Sequence, residues 1–394
     1  MRAARLAFTL FILTLVGCAN TQNQPAGALK TTPASGSDAD WALLPFVKID
    51  SVNPILGPGS GSFTDPILHK RVLWEAKDVF NPAIVNRNGK VYMLYRAQDK
   101  TGKPDGTSRI GLAVSTDAIH FTRMKQPVLY PEPDAFKKLE WEGGCEDPRV
   151  VQDDKGTYYM MYTAYDGQTA RLLVATSIDM LKWKKYGSVF AKAFNGKYAG
   201  KWSKSGSVVS TYKNGEPVAT KINGKYWMYW GDTQIWAATS DDLINWTPVE
   251  MKAGEHPPVK LRSQALNMPQ LKIVLPTRQG KFDSDLVESG PSAMITDKGI
   301  LLIYNSRNVP SFGDKSLAEG TYAASQVLFD RNDPTKVLHR MDTWFIKPEK
   351  PYELSGQVNQ VCFVEGLTAF KNKWYLYYGT ADSKIAVAVL NKAR

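Results

Sequence analysis

A strand-like segment of about eight residues recurs five times along the chain. Each copy is apolar almost throughout and follows a short turn sequence, as expected for a strand that is buried on both faces. Its aligned aromatic residues are 67, 68, 74 and 74 residues apart, at Tyr95, Tyr162, Trp230, Tyr304 and Tyr378. A repeat of roughly 70 residues with several short strands has the size of one propeller blade with long loops. The sequence therefore predicts an all-β five-bladed β-propeller over residues 41–394.

A second motif follows the aligned segment in three of the five repeats. It reads AVSTDAIHF, ATSIDMLKW and ATSDDLINW, beginning at Ala113, Ala175 and Ala238. Each copy is a short strand, a Ser, an Asp two residues later and an aromatic residue four residues after the Asp. The shared order of these residues favours a propeller over the alternative architecture, a β-sandwich with coincidental spacing.

The N-terminal residues have the pattern of a secretion signal. Arg2 and Arg5 flank an apolar stretch that is too short to span a membrane. Leu15-Val16-Gly17-Cys18 resembles a bacterial lipobox, in which the cysteine is lipidated; a plain signal peptide with a chance cysteine is the alternative. We expect a lipoprotein signal peptide at 1–17, a flexible tether with lipidated Cys18 at 18–40, and a bacterial lipoprotein on the periplasmic or cell-surface side of the membrane.

Charge and cysteine usage exclude several function classes. The formal net charge is +11, but the 49 Lys and Arg residues form no basic run, so we expect no nucleic-acid partner. Cys145 and Cys362 could pair in an oxidising compartment, which the sequence alone leaves open. Neither cysteine has a metal-ligand spacing and the chain has 4 His, so we expect neither a metal nor a cofactor.

Polar residues recur at a similar distance before each aligned aromatic residue. A carboxylate or amide stands 13 to 16 residues upstream, close to a Pro or Gly, at Asn81, Asp147, Glu216, Glu288 and Glu365. If the repeats are equivalent, these side chains converge on the funnel that the five innermost strands line. Because side chains alternate along a strand, only one of the adjacent Glu146 and Asp147 should face this funnel. We expect the other to brace the frame against Arg149; a simple Asp-Pro turn is the alternative.

A solvent-filled funnel with several carboxylates and aromatic residues favours cleavage of a glycosidic bond. That reaction needs a protonated acid at the leaving oxygen and a second carboxylate that activates water or attacks carbon. Carboxylates on different blades can be far enough apart to admit a water molecule between them. This arrangement predicts an inverting reaction.

Five short motifs resemble glycoside hydrolase family 130. They are FNPA at 80–83, LYRA at 94–97, GGCEDPR at 143–149, KINGKY at 221–226 and YYGTAD at 377–382. The resemblance covers nearly all of residues 41–394 and implies a five-bladed propeller that cleaves β-mannosides by hydrolysis or phosphorolysis. It implies that Asp147 is the general acid, with its proton passing through a sugar hydroxyl. By the same resemblance, Asn81, Arg96 and Asp382 hold the mannose to be released.

Hydrolase and phosphorylase members of this family differ in the residues on the nucleophile side. Phosphorylases commonly have a His-Arg pair and a His where this chain has Trp230-Gly231 and Asn305, whereas Glu288 and Glu365 are carboxylates that repel phosphate. This pattern resembles the β-1,2-mannosidase branch. We therefore expect an inverting, exo-acting β-1,2-mannosidase whose partner is a mannose-containing oligosaccharide, with water activated by Glu288 or Glu365. A phosphorylase and a non-catalytic glycan-binding propeller are the alternatives.

Overall fold

The computed structural model describes residues 40–103, 105–256, 268 and 270–391. Within these ranges the chain is almost entirely β, with two four-residue α-helices and one short 3-10 helix. The predicted signal peptide, Cys18 and all of the predicted tether except Asp40 lie outside the described residues. In the described ranges, no helix is both long enough and apolar enough to cross a membrane.

The described strands form five successive antiparallel units, and the first begins after three short strands. Its second strand, β5, contains the aligned Tyr95. The strands in this part of the chain are β1 (Val47–Lys48), β2 (Phe63–Asp65), β3 (Lys70–Val72), β4 (Asp78–Arg87), β5 (Lys90–Gln98), β6 (Ser108–Ser115) and β7 (Thr122–Arg123).

Unit two repeats the four-stranded antiparallel order of unit one. Its first strand also pairs in parallel with unit one, where Gly144 is opposite Ser108. Its elements are α1 (Lys137–Glu140), β8 (Gly144–Gln152), β9 (Tyr158–Tyr165), β10 (Ala170–Ser177) and β11 (Lys184–Ser188).

Unit three differs because a hairpin is inserted after its first strand. That first strand is two residues long and pairs with β15, which carries the aligned Trp230. The elements are a 3-10 helix (Ala193–Gly196), β12 (Ser207–Val208), the hairpin β13 (Ser210–Lys213) and β14 (Glu216–Ala219), then β15 (Tyr226–Trp230), β16 (Ile235–Ser240), β17 (Trp246–Pro248) and β18 (Ile273–Leu275).

Units four and five complete the described chain. In unit five, β1 pairs with the last strand, so the N-terminal strand and the C-terminal strand belong to the same sheet. The elements are β19 (Leu286–Ser289), β20 (Met294–Ile295), β21 (Ile300–Arg307), β22 (Tyr322–Phe329), β23 (Val337–Arg340), α2 (Pro351–Leu354), β24 (Cys362–Phe370), β25 (Lys373–Thr380) and β26 (Lys384–Asn391).

The hydrophobic core of the described residues is divided into five clusters. Each cluster joins the facing sides of two neighbouring units, in the order one–two, two–three, three–four, four–five and five–one. The first strand of unit one, β4, also contacts the first strands of units two and five, β8 and β24. The all-β class is thus observed. The five-bladed propeller stays a prediction, and the cyclic order of the clusters is the observation that supports it.

Four of the five aligned aromatic residues are tyrosines that donate to a buried carboxylate. In each case the phenol oxygen lies 2.8–3.0 Å from a carboxylate oxygen. A Lys or Arg nitrogen lies 2.6–2.8 Å from a carboxylate oxygen of the same acid. We call these clusters the frame triads; they are Tyr95 with Glu75 and Arg123, Tyr162 with Glu140 and Lys185, Tyr304 with Asp283 and Arg340, and Tyr378 with Glu353 and Lys48. In unit three the aligned residue is Trp230, whose ring packs at a tilt against the rings of Phe190 and Trp236 instead.

The second sequence motif forms a tight turn after the third strand of a unit. In unit one, Ser115 Oγ accepts a hydrogen bond from the Ala118 N–H at 2.9 Å, and Asp117 Oδ1 accepts from the His120 N–H at 2.8 Å. Ala118 has a left-handed φ of 68°, which these side-chain bonds hold in place. The same turn occurs in units two and three, at Ser177 with Asp179 and at Ser240 with Asp242. The Ser-x-Asp spacing is thus a turn signal.

The two cysteines of the described chain do not form a disulfide. Cys145 and Cys362 are both free and buried, on β8 of unit two and β24 of unit five. The pairing that the sequence left open is therefore absent. Burial raises the pKa of both thiols well above the usual value, which keeps them protonated.

Candidate active site

Three of the predicted site residues lie at irregularities of the first strands. The register of β4 shifts around Asn81, that of β8 around Asp147 and that of β24 around Glu365. Asn81 and Asp147 have left-handed φ angles of 49° and 47°, and such a backbone costs about 1–3 kcal/mol for a residue other than glycine. Bulges re-aim side chains, and here Asn81 Nδ2 donates to Asp147 Oδ1 at 2.9 Å.

Asp147 is buried among polar donors from units one and three. Arg96 Nη1 donates to its Oδ1 at 3.0 Å, and Lys204 Nζ lies 3.4 Å from its Oδ2. Burial would raise the pKa of Asp147, but the charges of Arg96 and Lys204 and the Asn81 amide lower it well below its usual range. In the ligand-free protein, Asp147 is therefore ionised.

Glu146 shares the guanidinium of Arg96 with its neighbour Asp147. Arg96 Nη2 donates to Glu146 Oε1 at 2.6 Å, and Ser108 Oγ donates to the same oxygen at 3.2 Å. The predicted brace between Glu146 and Arg149 is therefore wrong. The physical reason is the bulge: the left-handed Asp147 breaks the strict alternation of side chains, so both carboxylates reach one cation.

Arg149 instead bridges unit two to units four and five. It donates from Nε to the Gly290 carbonyl at 2.9 Å and from Nη2 to the Ser289 carbonyl at 2.6 Å. Its Nη1 lies 3.4 Å from Glu365 Oε1, and both side chains are buried. Burial raises the pKa of Glu365 well above the usual value, and this one ion pair only partly opposes the shift. No described residue donates a hydrogen bond to either oxygen of Glu365.

Glu288 lies in unit four on β19, opposite Asn305. Ser205 Oγ donates a short hydrogen bond to Glu288 Oε1. Burial raises the pKa of Glu288 to about 7, against the lowering effect of the Lys204 charge, and Asp232 adds to the rise. Its protonation state therefore changes near neutral pH, as a general acid or base requires.

Asp382 follows the last residue of β25 in the segment YYGTAD. It has a left-handed φ of 49°. Desolvation raises the pKa of Asp382 to about 6, with Arg96 opposing the rise and Asp147 adding to it. The charges that act on Asp382 place it near Arg96 and Asp147. That Asn81, Arg96 and Asp382 hold the mannose stays a prediction.

Sequence reasoning missed a lysine and an aspartate from unit three. The carbonyl of Lys204 accepts a hydrogen bond from the Gly231 N–H at 2.9 Å, which fixes its backbone next to the end of β15. Burial would lower the pKa of Lys204, but the charges of Asp147, Glu288 and Asp232 raise it well above the usual value. Asp232 in turn accepts a hydrogen bond from Trp202 Nε1 at 2.8 Å. Lys204 lies within the segment KWSKSG and Asp232 at the end of the segment YWGD.

Glu216 is not part of this cluster, although the sequence predicted that it would be. It begins β14 and lines a separate cavity of about 680 Å³ together with Asn86 and Gln152, which lie at the other ends of β4 and β8. The inserted hairpin explains the error, because it separates the first strand of unit three from Trp230. A fixed offset from Trp230 therefore reaches the hairpin, whereas the residues in place are Lys204 and Ser205.

The two positions that argued against phosphate binding have structural roles. Asn305 Nδ2 donates to the Val364 carbonyl at 2.9 Å, and its Oδ1 accepts from the Val364 N–H at 2.7 Å, next to Glu365. Trp230 is fully buried in the core between units two and three. These positions carry no cation, as the sequence shows, but Lys204 supplies one to this side of the site from a neighbouring position.

The arrangement separates carboxylates into two electrostatic groups. Asp147 is held ionised by cations, whereas the pKa values of Glu288, Glu365 and Asp382 are raised. Acids whose environments push their pKa values apart are the pattern of acid–base catalysis. Among the described residues, no group of three or more His, Cys, Asp or Glu side chains is placed to hold a metal ion.

Comparison with known proteins identifies relatives over most of the chain. A family model described as beta-1,4-mannooligosaccharide phosphorylase matches residues 63–393. A 1,2-beta-oligomannan phosphorylase from Thermoanaerobacter sp. is 32% identical over 326 residues, which are 80% of this chain and 91% of the relative.

Solved structures of higher identity are also similar. A glycosyl hydrolase from Bacteroides ovatus is 46% identical, with a TM-score of 0.83 over 90% of this chain and 96% of that chain. Another structure is 45% identical, with a TM-score of 0.83 over 89% of this chain and 95% of that chain. It is described as "The GH130 family of mannoside phosphorylases contains glycoside hydrolases that target beta-1,2 mannosidic linkages in Candida mannan".

Proposed function

The chain belongs to glycoside hydrolase family 130, and we propose that it releases mannose from the ends of β-1,2-linked mannosides by inverting hydrolysis. The family model, the phosphorylase relatives and the 45% identical structure are all described as acting on mannosides, which supports a mannoside as the substrate. The choice of the β-1,2 linkage is supported by the 1,2-beta-oligomannan phosphorylase and by the 45% identical structure. The choice of hydrolysis depends on the chemistry of the site.

The carboxylates of units four and five carry the proposal for hydrolysis. Glu288 and Glu365 interact electrostatically with each other, and both interact with Lys204. In their ionised forms these two acids repel a phosphate dianion, and an ionised carboxylate can take a proton from water. Glu288 is the better candidate for the base, because its pKa of about 7 leaves a large ionised fraction at neutral pH.

The role of Asp147 as proton donor needs a change on substrate binding. An ionised carboxylate cannot donate a proton, and Arg96 and Lys204 keep Asp147 ionised in the ligand-free protein. Asn81 and Arg96 bring three N–H groups to this place, where sugar hydroxyls can compete for them. We propose that a bound mannose separates Asp147 from Lys204, which raises its pKa and lets it pass a proton through a sugar hydroxyl.

Phosphorolysis is the second candidate, and the curated relatives favour it. The family model and the relatives at 32% and 30% identity are described as phosphorylases, which is broader support than hydrolysis receives from the comparisons. Lys204 and Arg149 are cations that could meet a phosphate. Both already face carboxylates, Lys204 at 3.4 Å from Asp147 and Arg149 at 3.4 Å from Glu365, so phosphate would have to displace these acids.

Product analysis distinguishes the two reactions. Purified protein is incubated with β-1,2-mannobiose, with and without inorganic phosphate, and the products are separated by anion-exchange chromatography. Hydrolysis predicts mannose at the same rate in both samples, and NMR of fresh product should show the α-anomer. Mannose 1-phosphate as the main product would establish phosphorolysis, and cleavage of β-1,4-mannobiose at a higher rate would refute the linkage. The Asp147→Asn variant is the control for a contaminating enzyme.

The location of the protein is a separate proposal that rests on the sequence alone. We propose that Cys18 is lipidated and anchors the chain to a membrane, since acyl chains contribute roughly 0.8 kcal/mol per buried CH₂. Cys18→Ser should move the protein from the membrane fraction to the soluble fraction of the producing bacterium. Unchanged fractionation would contradict the anchor without affecting the enzymatic proposal.

A further inference from the structure

The inserted hairpin of unit three leaves its own sheet and joins two others. β13 pairs in parallel with β20 of unit four at Ser210 and Met294, and β14 pairs in parallel with β8 of unit two at Val218 and Gln152. The two strands therefore form a bridge between units two and four.

The tip of the hairpin is held by the remaining two units. Asn86 Nδ2 of unit one donates to the Asn214 carbonyl at 2.8 Å, and Thr368 Oγ1 of unit five donates to the Gly215 carbonyl at 2.7 Å. Gly215 has a φ of 86°, and a Cβ there would lie 1.9 Å from the Ala369 carbonyl oxygen. Only glycine permits this approach. The hairpin thus contacts all four other units.

These contacts lie at the far ends of the strands that carry the candidate site. Asp147 stands near the start of β8 and Gln152 at its end, a separation of roughly 16 Å at about 3.3 Å per residue. One side of the hairpin, with Glu216 and Lys213, lines the cavity of about 680 Å³. The other side, with Tyr212 and Pro217, lines a cavity of about 10 Å³ that also contains Glu365 and Arg149.

We propose that the hairpin Ser210–Ala219 is a plug that closes the channel between the units beneath Glu365, so that solvent reaches the candidate site from one side only. The plug separates the large cavity from the small one. Its effect on catalysis rests on the proposed function, whereas its effect on the environment of Glu365 does not.

The plug should affect the ionisation of Glu365 strongly, because few neighbouring groups compensate the charge of its ionised form. The charged groups that face this carboxyl are Arg149, which stabilises the ionised form, and Asp147 and Glu288, which oppose it, with Lys204 as a weaker cation. From the plug, Tyr212 directs its hydroxyl to the Ser292 carbonyl at 3.0 Å. It therefore excludes water without donating to Glu365. Water entering from the large cavity would solvate the carboxylate and make Glu365 more acidic.

The test uses infrared spectroscopy to titrate the carboxyl group of Glu365, with Glu365→Gln to assign its C=O band. Tyr212→Ala removes the side chain that covers the small cavity and should lower the titration midpoint by at least about one pH unit, towards the ordinary glutamate value of about 4.3. Asn86→Ala combined with Thr368→Val loosens the tip without opening the core and should shift the midpoint in the same direction. Glu216→Gln lies on the other side of the hairpin and should leave the midpoint unchanged.

The same variants separate the plug from the proposed reaction. With β-1,2-mannobiose, Tyr212→Ala should lower kcat about tenfold or more and change KM less than about twofold, because the sugar-binding residues are untouched. An unchanged midpoint in folded Tyr212→Ala and in the tip variant would refute the plug. If Tyr212→Ala shifts the midpoint but the wild-type protein does not cleave the mannoside, the proposed function is refuted and the plug is supported.

Discussion

Two buried glutamates that flank the start of unit five have opposite surroundings. Glu353 accepts hydrogen bonds from the Tyr378 hydroxyl at 2.9 Å, from Lys48 Nζ at 2.7 Å and from two backbone N–H groups. Glu365 has the Arg149 ion pair at 3.4 Å and no hydrogen bond from a described residue. Burying a carboxylate is costly unless it is paired and hydrogen-bonded. The hydrogen bonds and the ion pair of Glu353 compensate the cost of burying its charge, as expected for a structural acid. Glu365 lacks most of this compensation, as expected for a functional acid.

The same contrast extends to the rest of the molecule. Each of the four frame triads supplies its acid with a tyrosine and a cation, and each lies on a different unit. The acids of the candidate site share a small number of cations, since Arg96 serves both Glu146 and Asp147 and Lys204 faces several acids. Shared cations leave the protonation states of the site adjustable. The comparison therefore predicts that identical Glu→Gln substitutions have different consequences in the two regions.

The largest expected effect is on catalysis. Glu365→Gln should lower kcat for β-1,2-mannobiose by about 10²-fold or more, because Glu365 and Glu288 act together on the attacking water and general acid–base catalysis usually contributes about 10²–10⁴-fold. Glu353→Gln should keep kcat within about twofold at a temperature where the variant is folded, because Glu353 belongs to a frame triad. Steady-state kinetics of both variants at equal folded concentration makes the measurement. Equal losses in the two variants would remove the distinction between structural and functional acids.

The next largest effect is on stability, where Glu353→Gln should lose more than Glu365→Gln. Glu353→Gln should lower the free energy of unfolding by roughly 3 kcal/mol, because breaking a buried pair leaves a cation without its partner. We expect the low end of the usual range, since Lys48 retains the Lys347 carbonyl at 2.7 Å. Urea unfolding, followed by far-UV circular dichroism, measures the change, and Tyr378→Phe should lose less because it removes one hydrogen bond. A Glu353→Gln protein as stable as wild type would contradict the structural role.

Much of this framework could be predicted from the sequence, because it follows from periodicity. The aligned aromatic residues marked the second strand of every unit, and the offset from them located Asn81, Asp147 and Glu365 at their bulges. The acids of the frame triads had a signal that was not used: each stands 20 to 25 residues before its tyrosine. The cations follow no common spacing, so they could not be found in this way.

The site residues of unit three could not be predicted in this way, because an inserted hairpin changes their distance in sequence from the aligned aromatic residue. The hairpin of unit three moved Glu216 away from the site and put Lys204 and Ser205 in the expected place. Lys204 changes the electrostatics of the whole cluster, and the sequence analysis did not foresee a cation from this position. The pairing of Arg149 was also missed, because strict alternation along a strand does not hold through the bulge at Asp147.

A smaller effect should appear in the pH dependence of stability. Because the folded-state pKa of Glu365 is raised, the unfolded chain loses this proton at a lower pH than the folded chain does. Stability therefore falls as the pH rises above the ordinary glutamate pKa of about 4.3, until the folded-state pKa is reached. Glu365→Gln removes this loss, so its stability relative to wild type should increase from pH 4 to pH 8. Urea unfolding at both pH values measures it, and a difference that stays constant with pH would contradict the raised pKa.

The smallest expected effect concerns the hydrogen bond between Ser205 and Glu288. This bond favours the ionised form of Glu288, whose pKa is raised to about 7 mainly by burial. If Glu288 acts as the base, kcat/KM should fall as the pH drops below about 7, because the base becomes protonated. Ser205→Ala removes the bond, which is worth about 1 kcal/mol, so the acidic limb should move to higher pH by somewhat less than one unit.

The matched control is Ser207→Ala, two residues further along the chain, whose hydroxyl donates to the Pro291 carbonyl at 2.7 Å instead of to Glu288. Its pH profile should coincide with that of wild type, while Ser205→Ala loses several-fold in kcat/KM at pH 6 and little at pH 8. A limb that moves to lower pH in Ser205→Ala would show that the hydroxyl stabilises the protonated form. A limb that does not move would assign the titration to another acid of the cluster, and Glu365 would then be the candidate base.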